Sequence, residues 1–336
     1  MKNIIRILFL LPMLAILPIL ACNDDNEEPV TGLINGLVRD TSGAGISSAT
    51  VITSPATVQV ATNDTGYYEI PDVAAGTYTV FAKKGTYLAD SASVAVDSGQ
   101  ISTANFTLLR SYRTVLAEML TRTCECAYGA RREAYAVKSG NPDRFVYLEY
   151  HASRDPMADF SDPYIDPASE ARRLYYCDTF VIGHFMYFDG TILQTAEGNF
   201  EATTDSLLDE ASPLQIQVAG TYTPGTYSGH IDVTVSAKAY IPYSDLYVEY
   251  AIYERGPMAP PDTCMCQYVV LDMPVHDPLT ISQGETKVLS KDFTVPDTIG
   301  LPQPPVHVVD PADIGIAVFV QSVGTKEVLQ AAFKDF

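Results

Sequence analysis

The sequence predicts a mainly β, multidomain protein: a β-sandwich, then an α/β domain, then a second β-sandwich. Three observations support this. Short strand-like runs alternate with turn residues over 31–109, strand-like and helix-like runs alternate over 110–212, and apolar residues recur at every second position over 213–336. The chain has 336 residues, enough for two or three domains of about 100–150 residues each, and 47% of them are hydrophobic, so these domains can have sizeable cores.

Residues 1–21 have the features of a lipoprotein signal peptide. Lys2 and Arg6 precede an almost wholly apolar run over 7–20, and the small residue Ala21 stands before Cys22, as in a lipobox. We therefore expect cleavage at this point and a palmitate-type lipid on Cys22. No other segment approaches the roughly 20 apolar residues of a membrane span, so the lipid is the expected membrane contact.

Residues 22–30 form an acidic linker. Its run Asn23–Glu28 resembles the surface-export signal of some Gram-negative lipoproteins, which implies an outer-membrane protein that is exposed at the cell surface. The whole chain is acidic too, with 41 Asp and Glu against 21 Lys and Arg, a formal net charge of -20. Such a surface repels phosphate backbones, so nucleic acid is excluded as a partner, and other envelope or secreted proteins are expected instead.

Residues 31–109 predict seven strands at the spacing of a β-sandwich. The strands are Leu33–Arg39, Ala49–Ser54, Val58–Thr62, Tyr67–Ile70, Gly76–Ala82, Ala92–Val96 and Ala104–Leu109. Turn residues separate several of them, among them Asp40–Gly43 and Asn63–Gly66. The motifs Gly36–Asp40, Thr62–Tyr68 and Gly76–Val80 resemble the carboxypeptidase regulatory-like domain. This resemblance implies a prealbumin-like sandwich that serves as a non-catalytic spacer or interaction module.

Residues 110–212 predict an α/β domain with a partly parallel sheet. Its strands are Arg113–Leu120, Phe145–His151, Val181–Phe188 and Thr191–Thr195, with a hairpin turn at Asp189–Gly190, and its helices are Ala127–Val137, Pro167–Tyr176 and Phe200–Ala211. A cysteine pair opening the first helix resembles a thioredoxin fold. The closer resemblance is to the twenty-eight-kilodalton outer-membrane-protein family, which joins such a domain to a β-sandwich. The segments that carry this resemblance are Val115–Glu118, Cys124–Cys126, Tyr150–His151 and Phe188–Thr191.

Residues 213–336 predict a second antiparallel, Ig-like sandwich. Apolar residues alternate at Ile231, Val233 and Val235 and again from Leu246 to Ile252. The end of the chain, Ala317–Ala331, resembles the last strands of the same outer-membrane family.

Apart from Cys22, five cysteines remain: Cys124, Cys126, Cys177, Cys264 and Cys266. Three interpretations stay open. In the first, disulfides join Cys124 and Cys126 to Cys264 and Cys266, or each pair closes on itself, and each bridge stabilises the fold by about 2–4 kcal/mol. The thioredoxin resemblance implies the second, a redox centre with Cys124 as nucleophile, Cys126 as resolving thiol and Glu118 as base.

The redox interpretation meets three departures from the thioredoxin pattern. The spacing is Cys-x-Cys, Ala127 replaces the usual proline, and Phe185 stands where the fold normally has a cis-proline. In the third interpretation, the protein binds Zn or Cu. The ligands are either the four thiolates of Cys124, Cys126, Cys264 and Cys266, or Cys124 and Cys126 together with His184. No other cofactor is expected.

The sequence therefore predicts a surface lipoprotein with a binding or scaffolding role and a degenerate thioredoxin-like domain. A thiol–disulfide oxidoreductase of the cell envelope is the first alternative. A lipoprotein that binds metal through its cysteines is the second.

Overall fold

The computed structural model describes residues 31–121, 127–152, 162–177, 185–195, 198–256, 266–300 and 306–336. The predicted leader and Cys22 lie outside this range, as do Cys124, Cys126, His184 and Cys264. None of the helices in the described residues has the length and apolar character that crossing a bilayer requires.

The first eight strands form a two-layer β-sandwich. They are β1 (Gly32–Asp40), β2 (Thr50–Ser54), β3 (Val60–Ala61), β4 (Tyr67–Val73), β5 (Gly76–Lys83), β6 (Asp90–Val96), β7 (Ile101–Thr103) and β8 (Phe106–Leu108). One sheet has the order β4-β1-β7 with β8 also on β1, and the other has the order β3-β2-β5-β6. The seven predicted strands are confirmed. The three-residue β7 was missed because Ile101 and Thr103 are exposed and give no core pattern.

Alternate residues of these strands fill the sandwich core. Ile34 and Val38 of β1 are fully buried, and so are Val51 of β2 and Val80 of β5. Every buried member of this apolar cluster lies between Ile34 and Leu108. The N-terminal sandwich therefore has a core of its own.

A segment of alternating strands and helices follows, as the sequence predicted. Its elements are β9 (Val115–Thr121), α1 (Tyr128–Gly140), β10 (Phe145–His151), α2 (Pro167–Tyr176), β11 (Phe185–Phe188), β12 (Ile192–Thr195) and α3 (Phe200–Leu208). β9 and β10 are parallel neighbours, and β11 and β12 continue the sheet as an antiparallel hairpin. Ala130 and Ala134 of α1 pack on Val115, Ala117 and Met119, which alternation along β9 puts on one face.

The remaining strands complete this sheet and add a small three-stranded sheet and a two-stranded one. They are β13 (Leu214–Thr223), β14 (Ser228–Ala237), β15 (Leu246–Glu254), β16 (Val269–Asp272), β17 (Asp277–Leu279), β18 (Thr286–Thr294), β19 (Thr298–Ile299), β20 (His307–Val308), β21 (Ile314–Ser322) and β22 (Val328–Asp335). The small sheet is β13-β14-β18, and β19 and β20 form an antiparallel pair of their own. The large sheet has nine strands, in the order β12-β11-β9-β10-β16-β15-β21-β22 with β17 on β15.

The expected boundary between residues 212 and 213 does not separate two sheets. β10 pairs in parallel with β16, with Glu149 opposite Val269, so one sheet runs through both segments. The physical reason is burial on both faces: every residue of β10 and of β21 is buried, which is typical of central strands.

Both segments also share one core. On the α2 face of the large sheet, Leu116 and Leu148 lie in the same apolar cluster as Ala251, Phe319 and Tyr176. On the other face, the small sheet packs over β15 and β21 through residues such as Val233 and Val318. Residues 110–336 therefore fold around common cores.

Candidate functional site

The candidate site lies where the parallel strands β9 and β10 end. Thr121 and His151, the last residues of the two strands, are opposite each other in the pairing. In open α/β sheets, ligands typically bind at the carboxyl ends of parallel strands. The buried polar side chains gathered here are called the strand-end cluster: Arg131, Glu149, His151, Asp162 and Cys266.

Glu149 lies at the centre of the strand-end cluster. Its Oε2 accepts a hydrogen bond from Nε of Arg131 at 2.8 Å, and its Oε1 accepts from the hydroxyls of Tyr135 at 2.7 Å and Tyr147 at 3.0 Å. Burial by itself raises the pKa of this carboxyl, but the charges of Arg131 and His151 outweigh it, and the pKa of Glu149 lies below its usual value. Glu149 is therefore ionised at neutral pH.

His151 lies between two carboxylates. Its Nδ1 is 2.9 Å from Oδ2 of Asp162, and its Nε2 is 3.4 Å from Oε2 of Glu149. Burial opposes the charged imidazole, but Asp162 and Glu149 outweigh it and raise the pKa of His151 to about 9. Tyr164 packs edge-on against the ring at 5.1 Å between centroids. Without a bound ion, His151 is an imidazolium at neutral pH.

Cys266 brings a sulfur atom to the same place from a distant part of the chain. It is fully buried and stands three residues before β16, whose Val269 is paired with Glu149. One ligand atom from each of Glu149, His151 and Cys266 lies within 4.8 Å of the other two. Carboxylate, imidazole and thiolate are all donors that Zn²⁺ accepts in proteins.

Glu118, the predicted base, lies on the opposite face of the sheet from α1. Its two carboxylate oxygens accept hydrogen bonds from Nε and Nη2 of Arg172 at 2.7 and 2.8 Å. The hydroxyl of Tyr176 also donates to Oε2 of Glu118, and all three side chains are buried. These contacts bind Glu118 to α2. Its role as a base for Cys124 stays a prediction, because Cys124 lies outside the described residues.

The sequence indicated part of this site. Cys266 and Glu118 are the two predicted site residues within the described range, and the structure puts Cys266 in the strand-end cluster. No functional role was predicted from the sequence for Glu149, His151 or Asp162. One signal was present, since Glu149 interrupts an otherwise apolar run with a charge. An acid within a fully buried strand needs a partner.

The comparisons with known proteins bear on the N-terminal domain and on the fold. Residues 33–109 match the family model of the carboxypeptidase regulatory-like domain, which confirms the resemblance seen in the sequence. No curated protein matches the chain.

Among solved structures, the chain is similar to HBP35 of Porphyromonas gingivalis, with 16% identity and a TM-score of 0.50 over 67% of this chain and 76% of that one. It is also similar to protein AGR_C_4864 from Agrobacterium tumefaciens, with 12% identity and a TM-score of 0.43 over 67% of this chain and 95% of that one. At such identities the likeness concerns the fold. The chain thus contains a carboxypeptidase regulatory-like domain at residues 33–109, and over 67% of its length it resembles the fold of HBP35.

Proposed function

We propose that this chain is a lipid-anchored protein of the outer membrane, exposed at the cell surface, that binds or scaffolds other envelope or secreted proteins. The lipobox ending at Cys22 and the acidic linker after it support the anchor and the exposure. The N-terminal carboxypeptidase regulatory-like domain supports a spacer or interaction role next to the membrane.

The observation that carries a binding role, rather than a catalytic one, is the bonding of Glu118. A general base needs an oxygen that can reach the proton it removes, whereas a bidentate arginine holds both oxygens of a carboxylate in one fixed arrangement. Both oxygens of Glu118 are held by Arg172 on the α2 side of the sheet. We infer a structural role for Glu118.

The finer family assignment belongs to the same proposal. The order β9-α1-β10, followed by the β11-β12 hairpin and α3, supports a degenerate thioredoxin-like unit. Its fusion to a C-terminal sandwich, which we regard as Ig-like, supports membership of the twenty-eight-kilodalton outer-membrane-protein family. The shared sheet makes this unit part of a larger scaffold.

Replacement of Cys22 in the native host tests the anchor and the exposure. Wild-type chain should incorporate labelled palmitate, sediment with outer membranes and be cut by protease added to intact cells. The Cys22→Ser variant should lose all three properties, while Cys177→Ser should keep them. Wild-type chain that is unlabelled, or protected from protease on intact cells, would contradict the proposal.

A thiol–disulfide oxidoreductase remains the second candidate, favoured by the cysteine pair that precedes α1. Partial positive charge at a helix N-terminus stabilises a thiolate, and α1 begins at Tyr128, two residues after Cys126. This candidate needs exchange activity that depends on Cys124 and Cys126.

A further inference from the structure

We propose that Glu149, His151 and Cys266 bind a divalent transition-metal ion, and that Zn²⁺ suits this donor set best. The site is independent of the proposed surface role. It differs from the cysteine sites considered for the sequence, because two of its three ligands are a carboxylate and an imidazole at the end of β10. The three side chains are completely buried, and their ligand atoms lie within 4.8 Å of one another.

The contacts around His151 orient it as a metal ligand. Asp162 accepts a hydrogen bond from Nδ1 at 2.9 Å, which directs Nε2 towards Glu149. A carboxylate on the non-ligating nitrogen is the usual support of a metal-binding histidine, since it fixes the ring and makes Nε2 more basic.

Glu149 is oriented in the same way. Tyr135 and Tyr147 bind its Oε1, while Oε2 faces His151 and also accepts from Arg131. The carboxylate is thus held with one oxygen turned towards the imidazole.

The spacing of the ligand atoms fits an ion better than a direct hydrogen bond. Nε2 of His151 and Oε2 of Glu149 are 3.4 Å apart. A charge-assisted N–H···O bond is typically about 2.7–2.9 Å long. A tetrahedral Zn²⁺ with bonds of about 2.0–2.2 Å holds its nitrogen and oxygen ligands roughly 3.3–3.5 Å apart. The sulfur of Cys266 lies within 4.8 Å of both atoms, and a Zn–S bond of about 2.3 Å would hold it roughly 3.6 Å from each, so this side chain moves inwards when the ion binds.

The formal charges also balance when the ion is bound. Glu149, Asp162 and the thiolate of Cys266 carry three negative charges, and Arg131 and a dication carry three positive ones. Binding forms bonds from the ion to nitrogen, oxygen and sulfur, and it releases to water the proton of the Cys266 thiol and the Nε2 proton of His151. The ion would tie the start of β16 to the end of β10 and so link the two segments of the large sheet.

The test uses the chain from residue 31 onwards, stripped of metal by a chelator and kept reduced with a phosphine, then titrated with Zn²⁺ and with Co²⁺. We expect one ion per chain, a thiolate-to-cobalt charge-transfer band, and a thermal midpoint that rises with Zn²⁺. Cys266→Ser should lose the band and bind Zn²⁺ at least a hundredfold more weakly. Asp162→Asn should bind about 10–100-fold more weakly.

Cys177→Ser is the matched control, because this cysteine lies at the C-terminal end of α2, and it should bind as wild type does. The proposal is overturned if reduced wild-type chain binds no stoichiometric Zn²⁺, or if its thermal midpoint does not respond. It is also overturned if Cys266→Ser keeps the band while replacement of Cys124 and Cys126 removes it. If Cys266→Ser does not fold, two other measurements decide whether the site exists: the response of the wild-type thermal midpoint to Zn²⁺, and the Zn²⁺ affinity of Asp162→Asn.

Discussion

Glu118 and Arg172 form a buried ion pair that the fold depends on. Removing one partner of such a pair leaves an uncompensated charge, which costs about 3–5 kcal/mol. Glu118→Gln should therefore lower the free energy of unfolding by about 3 kcal/mol in urea titrations, and the double variant Glu118→Leu, Arg172→Met should recover most of the loss. Glu170→Gln, which breaks the more exposed pair with Arg173, should cost less than about 1 kcal/mol. A Glu118→Gln variant that is as stable as the wild type would contradict a stabilising role for this ion pair.

Asp189 gives the stability of the chain a pH dependence of known sign. Its carboxylate binds Nη1 of Arg113 and the backbone N–H of Leu116, yet burial outweighs these contacts and raises the pKa of Asp189 to about 6. The unfolded value is 3.8. The folded state therefore binds the proton more tightly, and the contribution of Asp189 to stability falls by about 3 kcal/mol as the pH rises from 4 to 6 and beyond.

The variant Asp189→Asn isolates this effect. Urea midpoints of wild type and variant should be compared at pH 4, 5, 6 and 7, since other buried acids contribute equally to both. The stability of the variant should fall less steeply with rising pH than that of wild type. Parallel profiles would show that Asp189 does not titrate in this range.

The hairpin between β11 and β12 depends on its turn. Asp189 and Gly190, where the sequence predicted a hairpin turn, have φ angles of 43° and 75°, both in the left-handed region, as the central residues of a type I′ turn have. A Cβ at Gly190 would also collide with the backbone carbonyl of Lys326. Gly190→Ala should therefore cost at least about 2 kcal/mol of unfolding free energy, measured in urea.

Gly129 is the matched control for this prediction. It lies in α1, and a Cβ there meets nothing within 4 Å. Gly129→Ala should leave the stability unchanged or raise it by up to about 1 kcal/mol. Equal effects of the two substitutions would contradict the role of the turn.

Local signals were sufficient for several elements. The helix α2 was predicted with its observed bounds, Pro167–Tyr176, and the structure shows Asp166 capping it through the N–H groups of Ala168 and Ser169. The run Phe145–His151 was likewise predicted as a strand with the bounds of β10. In both cases the residues that decide the element lie within it or next to it.

The pairing of β10 with β16 could not be predicted in this way. β16 has four residues and no alternation, and its partner lies more than a hundred residues earlier in the chain. The same holds for Glu118, which was predicted as a base: its partner Arg172 lies 54 residues away in the chain. Partners so distant are chosen by the packing of the whole sheet.

The shared sheet predicts how the molecule responds to truncation. A chain of residues 31–109 should fold alone, because its core lies within it. A chain of residues 110–212 should not fold, because its sheet and the core on its α2 face need β15, β16 and β21. Near-ultraviolet circular dichroism and urea unfolding of the two pieces and of residues 110–336 check this. A cooperative transition in the 110–212 piece would contradict the shared core.

We propose that the α/β unit is part of a binding scaffold and not a redox enzyme. Insulin reduction at neutral pH tests this most directly. The assay compares wild-type chain, the double variant Cys124→Ser, Cys126→Ser, and Glu118→Gln, each confirmed as folded. If the α/β unit is a binding scaffold, all three proteins reduce insulin at the same background rate. The scaffold role is contradicted if the wild-type chain reduces insulin catalytically, the double cysteine variant loses this activity and Glu118→Gln has less of it.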